Sequence, residues 1–111
     1  MRLDVGALPE DPLAAAAQFH ADVLPRALAA LHAGGDLVLV FPPADHAHRD
    51  WRLAAVRGLA RQFAPERVNA LAGDDEAALA AGAAYLAHAP GVTGQLLPVD
   101  GTGVATMLYQ D

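Results

Sequence analysis

The chain has no serine, no lysine and no cysteine among its 111 residues. The absence of cysteine excludes disulfides and thiolate chemistry. Without serine and lysine, nucleophilic catalysis has only Thr93, Thr102, Thr106, Tyr85 and Tyr109 to draw on, none with a recognisable base beside it. Permanent positive charge comes from seven arginines alone, against a net charge of −6 and a pI near 5.1. Neutralising phosphates takes a clustered basic face, so nucleic acid is not an expected partner. No apolar run approaches a membrane span, and the first residues lack the charged-then-apolar order of a signal segment. No membrane partner is expected, and the cytoplasm is the expected compartment.

What is present fits one domain over residues 1–111. A chain of this length buries roughly two-thirds of its unfolded surface. Apolar residues make up 54%, but 27 of the 111 are alanine, which adds little buried area. Stability is therefore expected to be ordinary or marginal unless a partner covers part of the surface.

Apolar runs alternate with helical spacing. Arg2 to Leu8 reads as a short strand. Asp11-Pro12 reads as an N-cap followed by proline at the first helical position. Leu13, Ala16, Ala17, His20, Leu24, Leu28 and Leu31 then line a helical face, with a kink or break expected near Asp22 because of Pro25. Gly34-Gly35 ends that helix. Leu37-Val-Leu-Val-Phe41 is an unbroken apolar run, as in a strand covered on both faces of a parallel sheet. Trp51, Ala54, Ala55, Leu59 and Phe63 suggest the next helix, stopped by Ala64-Pro65. Arg67 to Leu71 is a strand, Asp74-Asp75-Glu76 opens a helix running to about His88, and Gln95 to Val99 is a last clear strand. Val104 to Tyr109 reads as an extended, docked segment. This order implies parallel crossovers and a layered Rossmann-like sheet.

The segment Gly58-Leu-Ala-Arg-Gln-Phe-Ala-Pro-Glu-Arg-Val-Asn-Ala-Leu-Ala-Gly73 and the motif Val92-Thr-Gly-Gln-Leu-Leu-Pro-Val-Asp-Gly101 resemble short-chain dehydrogenases/reductases. The nearest likeness is to the C-terminal half of the 3-oxoacyl-ACP reductase type. The resemblance is strongest over residues 34–102. It implies a three-layer α/β partial Rossmann-like fold of about four parallel strands, the second half of the family's sheet, with helices on both faces. It also implies association, since relatives assemble through the equivalent helices and the final strand.

Much of the family's machinery has no counterpart here. The chain aligns from about the family's fourth strand, leaving no place for the glycine-rich turn that cradles a dinucleotide pyrophosphate. Phe41-Pro42-Pro43 stands where the catalytic serine follows its strand, and the tyrosine and lysine positions fall near Asp45 and Arg49. An aspartate cannot donate as a phenol does, and arginine offers a planar fork in place of an ammonium. The family's nicotinamide end corresponds to Asn69, the Leu71-Ala72-Gly73 loop and Thr93; the plainer alternative is that these residues only shape the strand, turn and sheet edge. No cofactor is expected.

Two further clusters carry a sharp and a plain reading. Asp45-His46-Ala-His48-Arg-Asp50 holds possible metal ligands in His46, His48 and Asp50, with His20, His32 and His88 available to converge, or it is a solvated helix entry. Arg49, Arg52, Arg57 and Arg61 read as a solvated helix face pairing with Asp45 and Asp50. The sequence thus points to a truncated, degenerate relative of the reductases that is not an enzyme. The expected role is an interaction or regulatory subunit, as a homodimer or with a full-length reductase-type partner, with Trp51, Leu96 and Tyr109 at the interface. The alternatives are a nucleotide or acyl binder in a cleft near Asp45, Asn69 and Thr93, and a metal-binding protein.

Overall fold

A computed structural model of the chain describes residues 1–100. The expected extended segment from Val104 to Tyr109 lies outside them. Four strands, β1 (Arg2–Asp4), β2 (Leu37–Phe41), β3 (Val68–Ala72) and β4 (Leu96–Pro98), form one all-parallel sheet in the order β1-β2-β3-β4. The helices are α1 (Pro12–Gln18), α2 (Leu24–His32), α3 (Arg49–Phe63) and α4 (Glu76–Ala87). None is long and apolar enough to cross a membrane.

Alternation along the strands sorts the core into two layers. Leu37, Leu39, Phe41, Val68 and Ala70 pack under Phe19, Val23, α2 and α3, while Val40 and Leu71 pack under α4 with Leu79 and Leu86. Because β2 and β3 are apolar at both parities, both faces need covering, and this is the α/β arrangement expected from the sequence. All three crossovers step the same way across the sheet, yet α4 lies on the opposite face from the others. Its connection therefore has the opposite hand, so at least one crossover takes the left hand that parallel units rarely adopt. A single helix spans about two strands' width, so part of the α4 face lies open. Over β1 that face carries Arg2 and Asp4, which suit water.

The first helical segment departs from expectation. Its buried stripe is Ala15, Phe19, Val23, Ala27 and Leu31, a strict spacing of four, while Leu13 is 83% exposed and His20 is exposed. In a regular α-helix such a spacing drifts around the axis. Here a π-helical turn over Phe19–Val23, with the Leu24 N–H donating to the Phe19 carbonyl, widens the helix and keeps the stripe on the sheet. The same turn absorbs Pro25, whose missing N–H and ring would otherwise break the ladder. The expected kink near Asp22 is thus a local change of pitch between α1 and α2.

The ends match their sequence signals. Asp11 caps α1 by accepting the Ala14 N–H at 2.9 Å, with Pro12 at the first position. Gly34 and Gly35 take φ of +97° and +100°, where a side chain would be strained. Asp75 caps α4 through the Ala78 N–H.

Candidate functional site

In parallel α/β sheets the crevice beyond the carboxyl ends of the strands is where ligands bind. Here it lies among the β1–α1 loop, the β2–α3 loop from Pro42 to Asp45, and the ends of β3 and β4. The β2–α3 loop passes through a short 3-10 turn, His46–His48, before α3.

Three of the polar side chains around this crevice, Asp45, His48 and Arg52, bind the protein's own backbone. Asp45 caps the turn, accepting the Ala47 N–H at 3.0 Å. His48 is buried; its Nε2 donates to the Glu10 carbonyl at 2.8 Å, and its Nδ1 accepts the Trp51 indole N–H at 3.2 Å. A carbonyl only accepts and an indole only donates, so both ring nitrogens are in use and neither is open to a metal. His46, Arg49 and Asp50 are exposed. Among the described residues no group of three His, Cys, Asp or Glu side chains could hold a metal ion. His20 and His88 donate to carbonyls one turn back, of Ala16 and Ala84, and His32 meets the Phe63 ring edge-on.

Trp51, expected at an interface, is half-buried within an aromatic cluster, with ring centroids 5.5 Å from Phe19 and 5.8 Å from Phe41. Leu96 is half-buried beside the larger core and reaches one wall of the crevice. Tyr109 lies outside the described residues.

Asn69 and Thr93 sit toward the other, amino-terminal end of the sheet. Asn69 is 2% exposed, donates through Nδ2 to the Val92 carbonyl and accepts the Gln95 N–H on Oδ1. Thr93 Oγ1 accepts the Val68 N–H. Both therefore staple the start of β4 to β3. Among the described residues the three do not share a hollow: Asp45 lines the crevice, while Asn69 and Thr93 line two separate hollows elsewhere. A backbone hydrogen bond needs only these residues' local geometry, which is why the family-like spacing survives without a shared cavity.

Arg52 corrects the expectation of a solvated arginine face. It is 4% exposed and pairs with neither Asp45 nor Asp50; the ion pairs among the described residues join Arg2 to Asp4 and Glu76, and Arg67 to Asp36. Its guanidinium carbon lies 4.6 Å over the Phe41 ring and 5.8 Å from the Trp51 ring. Nη1 donates to the Pro42 carbonyl at 2.8 Å, while Nε is buried with no hydrogen-bond partner. Burial pushes the Arg52 pKa down, and no carboxylate among the described residues offsets it. The signal was present in the sequence: Arg52, Val56, Leu59 and Ala60 share one helix face, whereas Arg49, Arg57 and Arg61 are exposed.

The model of the SDR-like family, described as short chain dehydrogenase-like protein, matches residues 3–99. No curated protein and no solved structure matches the chain.

Proposed function

The chain belongs to the short chain dehydrogenase-like family, and on that footing we propose that it is a non-catalytic member acting as an interaction or regulatory subunit. It associates with itself or with a full-length reductase of the same fold. The observation that carries this reading is the composition of α4. Its outward positions Ala77, Ala80, Ala81, Ala84 and Ala87 are exposed, and Glu76 is its single charged residue. A helix apolar all round is normally buried, and alanine lets a second helix approach closely. The sheet edges are less suited to docking. The β1 edge is three residues long and bears Arg2 and Asp4, and β4 is equally short and ends in Pro98.

The non-catalytic part of the reading is supported by Phe41-Pro42-Pro43 at the end of β2, and by the backbone-committed Asp45 and His48 at the entry to α3. Light scattering on a sizing column tests the association, alone and mixed with an intact reductase of this family. A dimer or a mixed complex that Ala84→Arg dissolves is expected. A strict monomer that captures no reductase overturns the reading, as does dinucleotide-dependent carbonyl reduction by the pure protein.

A further inference from the structure

Among the described residues Arg52 is the one buried arginine in the crevice. It lies on the wall shared by two clefts. One, of about 260 Å³, lies between the first turns of α3 and the ends of β3 and β4, and is lined by Ala44, Ala72, Leu96 and Pro98 beside Arg49 and Arg52. The other, of about 350 Å³, lies between the β1–α1 and β2–α3 loops and is walled by Glu10 and the prolines Pro42 and Pro43. A side chain buried this far normally has its donors matched. Arg52 spends Nη1 on Pro42, leaves Nε unmatched and meets no carboxylate among the described residues.

We propose that the smaller cleft binds a small carboxylic acid with an apolar tail, its carboxylate held by the Arg52 fork and its tail lying against Ala72, Leu96 and Pro98. Chemistry distinguishes this ligand from its competitors. Arg52 lines the cleft and its Nη2 has no acceptor among the described residues; a carboxylate supplies one that carries a full charge. The larger cleft shares Arg52 but sets Glu10 against an anion. Phosphate favours free main-chain N–H groups at a helix start, and here Asp45 already occupies the Ala47 N–H. A dianion would also face the Asp45 carboxylate across the cleft, where a monoanion is balanced by Arg49 and Arg52. The alanine, leucine and proline walls offer a sugar or a nucleobase few hydrogen bonds. This inference concerns the α3 side of the sheet and does not rest on association through α4.

The test is titration of the intact chain with hexanoate, hexanamide and inorganic phosphate, read by calorimetry and by emission of Trp51, the single tryptophan. Hexanoate is expected to saturate, at least about tenfold tighter than the neutral amide or phosphate, as a charge-assisted hydrogen bond implies. Arg52→Met should lose at least about tenfold in hexanoate affinity while melting close to the parent, because the loss of the Pro42 hydrogen bond is offset by removing a buried charge that has no carboxylate partner among the described residues. Ala44→Trp, on an exposed loop position, should block hexanoate without touching Arg52. Hexanoate binding no tighter than hexanamide or phosphate would overturn the proposal. So would affinity unchanged in both variants, or an Arg52→Met protein that melts several degrees lower while the parent binds no hexanoate; the last outcome makes Arg52 a structural bolt for the Pro42 loop.

Discussion

Asp36 holds Arg67 twice: Oδ1 accepts the Arg67 main-chain N–H at 2.7 Å, and Oδ2 takes the guanidinium at 2.8 Å from Nη2 and 3.0 Å from Nε. Nη1 of the same arginine donates to the carbonyls of Leu86 and Ala89, closing the end of α4. One aspartate therefore sets the starts of β2 and β3 level and ties them to the helix on the far face. Asp36→Ala should lower unfolding free energy by about 1–2 kcal/mol, since the lost bonds are charge-assisted but partly exposed to solvent. Urea unfolding followed by Trp51 emission measures it.

Acid should weaken the fold through two carboxylates. The Arg67 main-chain N–H and then its guanidinium hold Asp36 below its ordinary value of 3.8, and the Arg2 hydrogen bond holds Glu76 below 4.5. A carboxylate depressed in the folded state stabilises it fully above the unfolded pKa and loses that contribution as pH falls through the folded one. The urea midpoint should therefore be insensitive to these groups near neutrality and fall progressively below about pH 4.5. Asp36→Ala should flatten part of that decline.

Asn69→Ala should destabilise by roughly 1–3 kcal/mol, because it orphans the Val92 carbonyl and the Gln95 N–H at a buried position. Asn69→Asp should be worse, as it keeps the acceptor, removes the donor and buries a charge. Equal stability of parent and Asn69→Ala would show that the side chain is not the staple its bonds suggest. Chemical denaturation of the three proteins decides it.

Two glycines give opposite expectations. A Cβ on Gly73 would lie 2.7 Å from the Val99 carbonyl oxygen, so Gly73→Ala should push the ends of β3 and β4 apart and cost roughly 1–3 kcal/mol. Gly58, inside α3, has nothing within 4 Å of such an atom, and Gly58→Ala should gain about 0.5–1 kcal/mol from reduced unfolded-state freedom. Thermal melts of the pair provide an internal control, since each changes the chain by one methyl group.

Local signals read true where one short stretch carries the whole interaction. The Asp11-Pro12 start, the Gly34-Gly35 stop and the apolar run from Leu37 to Phe41 each lie where the residues place them. Face assignments in alanine-rich helices did not read true. Alanine satisfies either side, so spacing alone places Leu13 and His20 on the stripe that Ala15, Phe19 and Val23 occupy; Pro25 signals a break there but not the π turn that aligns the stripe. Weighing charge alone puts Arg52 with the solvated arginines, although its spacing to Val56, Leu59 and Ala60 marks it as the one of the four turned inward. The histidine pair at His46 and His48 suggested a metal site because spacing alone does not reveal that Glu10 and Trp51, distant and near in sequence, already use both nitrogens of His48.

By itself the sequence determined the class of fold, the family it resembles and the side-chain inventory of its 111 residues. Periodicity, turn residues and side-chain inventory are properties of the chain alone. Only the tertiary structure decided which face α4 covers and which loop and strand residues the chain's own polar groups bind. Those outcomes depend on contacts between residues 30 or more positions apart, such as Arg67 with Asp36 and His48 with Glu10, whose energies arise only when strands and helices are brought together.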